Sequence, residues 1–127
     1  MIVLDATVLI AHFGSADRHH DSATHLLNEL VGDILLVHPV NLAEVLVGGV
    51  RQGRGQQMAA DLETLGVVVA DQLEGEPLRL AELRVRSGLK LPDCCALDTA
   101  LTRRSALATF DQALAAAART EGVQVLA

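Results

Sequence analysis

MIVLDATVLIAHF, residues 1–13, combines an apolar run at Ile2–Leu4, an acid at Asp5 and a helix-like segment at Thr7–Phe13. A short apolar run that leads directly into a helix is typical of a buried strand in a parallel α/β sheet. A carboxylate in such an apolar setting is costly unless a positive group pairs with it. These residues therefore predict a strand–helix unit whose terminal acid has a cationic partner.

The same junction recurs three times along the chain. Glu44 lies in HPVNLAEVL after the run ILLV, Asp93 lies in LPDCCAL, and Asp111 ends ALATFD. Because the carboxyl ends of parallel strands open on one crevice, residues there meet even when they are distant in sequence. Four converging carboxylates predict a site for a hard divalent cation.

Apolar runs alternate with helix-like segments through all 127 residues. Such alternation predicts an α/β fold, specifically a three-layer α/β/α sandwich with a central, mostly parallel sheet. The length predicts a single domain, residues 1–127. The expected strands are Ile2–Leu4, Ile34–Val37, Val67–Ala70, Ala106–Phe110 and Val123–Leu126.

Composition excludes several classes of protein. No apolar run approaches the ~18 residues of a membrane span, and the start lacks the basic flank of a signal peptide, so we expect a cytoplasmic protein without membrane contact. Cys94 and Cys95 are adjacent, which favours small core residues over a disulfide or a zinc site. The net charge of −6 argues against a broad basic surface. With Phe13 and Phe110 as the only Phe, Trp or Tyr residues, a base-stacking platform is not expected, so nucleic-acid binding would depend on metal, scattered arginines and backbone amides.

Each acid also has a simpler explanation. Asp5, Asp93 and Asp111 all stand where a helix begins, and each could be a helix N-cap. Glu44 could face solvent, although no cation stands four residues away on either side. Taken singly the acids are weak indications, and their shared position at the carboxyl edge is the stronger argument.

Other polar residues are open to two interpretations. Thr7 and Thr109 each lie two residues from an acid, where a hydroxyl could orient the carboxylate or simply belong to a turn. Arg51 follows Glu44 by seven residues, hence ~10 Å away on roughly the same helix face, which suits a phosphate contact as well as a solvated helix end. Asp98 is expected to be exposed or to support the site without binding metal. We expect the clustered histidines to have surface or helix-packing roles rather than to bind metal; they are His19, His20 and His25.

The order and setting of these acids resemble the PIN domain, and within it the VapC toxins of bacterial toxin–antitoxin pairs. The resemblance covers the whole chain and rests on MIVLDATVLIA, DRHHDSA, LAEVL, LPDCCALDTAL, LATFDQAL and the final GVQVL. No single motif is specific, but their order and spacing together are. Asp98 departs from the resemblance, because the family usually has a small apolar residue there. The resemblance implies that Mg²⁺, or Mn²⁺ in its place, is bound by Asp5, Glu44, Asp93 and Asp111.

The resulting hypothesis is a Mg²⁺-dependent endoribonuclease, the toxin of a VapBC-type pair, that cleaves RNA phosphodiester bonds with metal-activated water. The resemblance also implies an antitoxin partner of the VapB type and a homodimer. One alternative is a receiver-like signalling domain, which the single lysine, Lys90, fits poorly because it precedes a helix. Another is a non-catalytic α/β binding module whose acids are structural.

Overall fold

The computed structural model describes residues 1–126, in which short strands alternate with helices. In chain order the elements are β1 (Ile2–Leu4), α1 (Ala6–Phe13), α2 (His20–Glu29), β2 (Leu35–Val37), α3 (Pro39–Arg51), α4 (Gly55–Thr64), β3 (Val67–Val69), α5 (Glu76–Ser87), α6 (Leu91–Arg103), β4 (Ala106–Ala108), α7 (Gln112–Thr120) and β5 (Val125–Leu126). No helix among these residues is both long and apolar enough to cross a bilayer.

The strands form one sheet in the order β3-β2-β1-β4-β5. All four strand pairings described are parallel, with Ile2 of β1 opposite Leu35 of β2 on one side and Ala106 of β4 on the other. Because the chain builds outward from β1 in both directions, a crevice is expected at the carboxyl ends of β1 and β4. Receiver-type sheets have the order 2-1-3-4-5, so the receiver-like alternative is wrong.

Helices cover both faces of the sheet, as the three-layer prediction requires. Successive strand residues point to opposite faces, so Leu4 packs with α1–α4 while Val3 packs with α5–α7. The two apolar clusters thus lie on either side of the sheet and hold it in the middle layer. Cys94 and Cys95 are buried free thiols. The prediction that both are small core residues is confirmed.

The structure shortens four of the predicted strands, to Leu35–Val37, Val67–Val69, Ala106–Ala108 and Val125–Leu126. Three element ends have an identifiable local cause. Helix α6 begins at Leu91 because Pro92 can occupy the first turn, where its missing N–H costs nothing. Helix α2 begins at His20, since the Asp17 side chain accepts the His19 N–H and holds a turn there. Strand β4 stops before Phe110, whose N–H donates to the Thr7 side chain instead of to a neighbouring strand.

Candidate metal centre

Asp5 lies at the carboxyl end of β1 and is only 3% exposed. It is the N-cap residue of α1 by position, but its side chain makes no capping hydrogen bond. Its Oδ2 instead accepts the hydroxyls of Thr7 and Thr109, both at 2.8 Å. The capping explanation for Asp5 therefore fails, and two hydroxyls fix the orientation of this buried carboxylate.

The same two hydroxyls join the ends of β1 and β4. Thr7 Oγ1 accepts the N–H of Phe110 at 3.0 Å, and Thr109 Oγ1 accepts the N–H of Asp111 at 3.0 Å. Asp111 in turn caps α7, because its Oδ1 accepts the Leu114 N–H at 3.0 Å. The capping explanation holds for Asp111, and it engages one of the two carboxylate oxygens.

Glu44 is exposed, as its simpler explanation expected, and its carboxylate also accepts a hydrogen bond from a buried amide that the sequence analysis missed. Asn41 is fully buried, and its Nδ2 donates to Glu44 Oε1 at 3.2 Å and to the Pro92 carbonyl at 2.9 Å. Asn41 Oδ1 is buried without a described partner. This amide links Glu44 on α3 to the first turn of α6. The sequence did contain a signal for this contact, because Asn41 is a polar residue three positions before Glu44 in a largely apolar helix.

Asp93 lies in the first turn of α6, where Lys90 rather than Asp93 is the N-cap residue. The pKa of Asp93 is raised from 3.8 to about 6, mainly by burial and then by the negative charges of Asp5, Asp111 and Glu44, in that order, while Lys90 lowers it. Since the three other acids all act on Asp93, the fold brings the four predicted carboxylates into one neighbourhood.

The four carboxylates fit a hard cation in chemistry but do not form a closed cage. Within residues 1–126, no three His, Cys, Asp or Glu side chains stand close enough to surround an ion. Carboxylate oxygens are nevertheless the donors that Mg²⁺ and Mn²⁺ prefer. A divalent ion would also offset the repulsion that raises the pKa of Asp93. The donor set therefore fits Mg²⁺ in its chemistry.

Arg51 lies near Glu44, as predicted. Both residues line a groove of about 350 Å³ between α1 and α3, together with Phe13 and Gln52. Arg51 is exposed, so its guanidinium can reach a phosphate bound in this groove. That contact stays a prediction.

Of the two expectations for Asp98, exposure is wrong. Its side chain is 4% exposed and binds Arg79 through both oxygens, Nε to Oδ1 at 2.9 Å and Nη2 to Oδ2 at 3.2 Å. Helix α5 packs on α6 and delivers the arginine, a contact between distant segments that helical spacing alone does not show. Asp98 thus joins two helices.

The clustered histidines have the packing and surface roles that were predicted. His20 Nδ1 donates to the Ala11 carbonyl at 2.9 Å and joins α2 to α1. His25 pairs with Glu29 at 3.0 Å on the exposed side of α2. His19 stacks on Phe110.

A second buried polar pair was also missed. His38 caps α3, with Nδ1 accepting the Val40 N–H at 3.1 Å, and its Nε2 donates to Glu76 Oε1 at 2.5 Å. Because Nδ1 accepts this hydrogen bond, the hydrogen of a neutral ring lies on Nε2. The pair ties the start of α5 to the end of β2, and nothing in the local sequence indicates it.

A comparison with protein families gives one match over most of the chain. The model of the PIN domain matches residues 2–120. Among curated proteins, no sequence matches.

Solved structures give similar chains over nearly their full length. A toxin–antitoxin complex from Klebsiella pneumoniae has 26% identity, covers 87% of each chain and gives a TM-score of 0.73. A sarcin–ricin-loop-cleaving toxin from Mycobacterium tuberculosis has 17% identity, with 92% of this chain and 95% of that chain covered and a TM-score of 0.73. A VapBC complex from Rickettsia felis bound to promoter DNA has 18% identity, with coverages of 99% and 98% and a TM-score of 0.72. The last two likenesses show a shared fold alone.

Proposed function

Because this chain belongs to the PIN-domain family, we propose that it is a Mg²⁺-dependent endoribonuclease and the toxin of a VapBC-type toxin–antitoxin pair. One observation carries the catalytic part of the proposal. The pKa of Asp93 is raised to about 6 by burial and by the other three acids, which indicates a convergent set of carboxylates. The similar chain in the Klebsiella pneumoniae toxin–antitoxin complex supports the biological role.

Asp5, Glu44, Asp93 and Asp111 would hold the metal. A bound Mg²⁺ would supply Lewis acidity, which lowers the pKa of water and offsets negative charge on a phosphate. Thr7 and Thr109 keep the Asp5 carboxylate in place through their 2.8 Å hydrogen bonds.

The residues around this site would bind and position RNA. Asn41 holds Glu44 relative to the first turn of α6, and so relative to Asp93. Arg51 would contact a phosphate next to the one that is cleaved, since it shares a groove with Glu44. Within residues 1–126 no histidine is hydrogen-bonded to any of the four acids, so the chain would supply charge and geometry rather than a histidine general base.

The proposed partners follow from the family and from the surface. We propose a VapB-type antitoxin as the inhibitor and a second copy of the chain as a dimer partner. Val47 and Val50 on α3 are 45% and 65% exposed, which is unusual for apolar helix positions unless another surface covers them.

Glu44→Gln tests the proposal because it removes charge at nearly constant shape. We expect the parent to cleave RNA in Mg²⁺ and to lose cleavage in EDTA, and the variant to be inactive. The parent should bind Mn²⁺ stoichiometrically in a calorimetric titration, and Glu44→Gln should bind it much more weakly. Glu63→Gln, which changes an exposed acid on α4, is the matched control and should behave as the parent.

Two results would overturn the assignment. If Glu44→Gln and Glu63→Gln cleave RNA equally well, Glu44 is not part of the centre. If the parent shows no stoichiometric Mn²⁺ binding, the acids are structural, as in the binding-module alternative.

A further inference from the structure

A pair of stacked rings lies next to the carboxylates. Phe110 stands between Thr109 and Asp111, and its ring stacks on the imidazole of His19 with centroids 4.6 Å apart and planes 2° from parallel. The Phe110 N–H is bonded to Thr7, the residue that orients Asp5. The stacked pair, His19 and Phe110, is therefore continuous with the candidate metal centre.

Both rings of the stacked pair are fixed in place before any ligand arrives. The His19 N–H donates to Asp17 Oδ1 at 2.8 Å, which holds the backbone just before α2. Arg18 Nε donates to His19 Nε2 at 3.1 Å. This bond and the one to Asp17 hold the ring in one orientation, so it offers a flat face to a second π system.

The surroundings of the stacked pair suit a single-stranded nucleic acid. Both rings are only partly buried, while Phe110 also packs against the apolar cluster beneath it. Single-stranded RNA is bound by aromatic faces that stack on bases, next to cations that contact the backbone. Arg18 supplies such a cation at the exposed edge of the imidazole. The sequence analysis expected no stacking surface because it considered only Phe, Trp and Tyr and did not consider histidine.

We propose that the His19–Phe110 stacked pair and Arg18 bind one nucleotide of single-stranded RNA directly beside the cleaved phosphate. The base stacks on the outer face of the His19 imidazole and extends the column that begins at Phe110. Arg18 contacts the phosphate of the same nucleotide. This inference rests on the proposed ribonuclease activity and adds a determinant of where the RNA is held.

Stacking predicts a preference among bases at this position. A purine covers more of the imidazole face than a pyrimidine does, so adenine should bind better than uracil. Removing the base altogether should remove the stacking contribution, which for aromatic platforms corresponds to about tenfold in affinity per base.

The test measures RNA binding without cleavage. In the full-length Glu44→Gln chain, fluorescence anisotropy would follow the binding of labelled oligo(A), oligo(U) and abasic ribose–phosphate 12-mers at fixed ionic strength. His19→Ala should weaken oligo(A) binding about tenfold and leave the abasic oligomer unchanged. His19→Phe, which keeps a ring, should restore oligo(A) binding. His25→Ala is the matched control, because His25 lies on α2 with its side chain 77% exposed.

The outcomes separate this inference from the proposed function. If the parent cleaves RNA but His19→Ala binds oligo(A) as His25→Ala does, the inference fails and the ribonuclease proposal stands. If the parent shows no Mg²⁺-dependent cleavage, the ribonuclease proposal fails, whatever the binding data show. If His19→Ala weakens an antitoxin complex and not RNA binding, the stacked pair is a protein contact and the inference is overturned. Equal loss of abasic and oligo(A) binding would also overturn it, because stacking would not be the cause.

Discussion

The Asp5 carboxylate is nearly inaccessible to solvent and has only hydroxyl donors, Thr7 and Thr109, on its Oδ2. Burying an ionised group is costly without strong compensation, and two neutral hydrogen bonds offset only part of that cost. A cation at the remaining oxygen would complete the compensation. Asp5 is thus the acid whose surroundings most clearly require a positive partner.

Thr109→Val should weaken metal binding without unfolding the chain. The change removes one donor to Asp5 and the acceptor for the Asp111 N–H, and the loss of such supporting groups typically costs 10–100-fold in metal affinity. Calorimetric titration with Mn²⁺ checks this. Thr99→Val is the control, since Thr99 is equally buried but donates only to the Cys95 carbonyl. Equal Mn²⁺ affinity in the two variants would contradict the role of Thr109.

The raised pKa of Asp93 predicts how metal binding depends on pH. Metal ligation requires the deprotonated carboxylate, and the pKa of Asp93 is about 6 because of burial and the neighbouring acids. Affinity for Mn²⁺ should therefore fall as the pH drops below about 6, by up to about tenfold per pH unit. Calorimetry between pH 5 and 7 measures it. A flat profile over this range would show that Asp93 does not bind the metal.

The same raised pKa predicts the opposite pH dependence for the stability of the metal-free chain. Between the ordinary value of 3.8 and about 6, folded Asp93 keeps a proton that the unfolded chain has lost. Stability should fall as the pH rises through this window, by on the order of 1 kcal/mol after allowance for solvent screening. Asp93→Asn should remove this slope and be at least as stable as the parent at pH 7. Urea denaturation in EDTA would show a persistent slope in Asp93→Asn if another group were responsible.

At this scale the sequence indicated the acids and the two hydroxyls that hold Asp5, but not the amide that holds Glu44. Asp5 and Asp111 come shortly after apolar strands, which is a local pattern, whereas Asp93 follows helix α5 and no strand. The contact from Asn41 to the Pro92 carbonyl joins residues 51 positions apart, and no local pattern reports such a contact. Contacts made by buried amides and ion pairs are therefore visible only in the folded structure.

At the scale of elements, α5 is tied down by two polar contacts to different neighbours. Glu76 at its start bonds to His38, and Arg79 one turn later binds Asp98. His38 begins the helix that carries Glu44, and Asp98 lies on the helix that carries Asp93. Helix α5 thereby contacts both helices that present acids to the centre, although it presents none itself.

Loss of the Arg79–Asp98 pair should be asymmetric. Arg79→Ala leaves the 4%-exposed Asp98 unpaired, whereas Asp98→Ala leaves an arginine that is 32% exposed and can turn to solvent. Arg79→Ala should therefore lower the urea midpoint more than Asp98→Ala does. Arg86→Ala on the same helix breaks a more exposed pair with Glu121 and should have the smallest effect. The reverse order would mean that burial does not govern this contact.

The type of each element was predictable from the sequence, because helices and strands differ in the spacing of their apolar residues. The first and last residues of the elements were less predictable. The strands of two or three residues are apolar runs that any reader of the sequence finds. The start of α2 depends on the Asp17 side chain, and the start of α6 depends on Pro92. These ends are decided by single hydrogen bonds or rings, which apolar spacing does not register.

At the scale of the whole molecule, the exposed valines of α3 predict self-association. A chain of 13.4 kDa that covers Val47 and Val50 with a second copy should scatter light as a particle of about twice that mass at micromolar concentration. Val50→Glu should shift the mass toward the monomer because it places a charge in the interface. Val85→Glu on α5 is the control, since Val85 is 87% exposed on the opposite face. A parent of monomeric mass would contradict the dimer.

The central place of β1 has a consequence for how the protein is made. Asp5 leaves the ribosome first, yet its partner Thr109 lies 104 residues later, on the strand that completes the middle of the sheet. At about 5–20 residues per second, synthesis separates the two by several seconds. Throughout that time the growing chain has Asp5 without the hydroxyl and the acid that β4 delivers. If the proposed nuclease activity depends on this centre, a chain that ends before β4 should cleave no RNA.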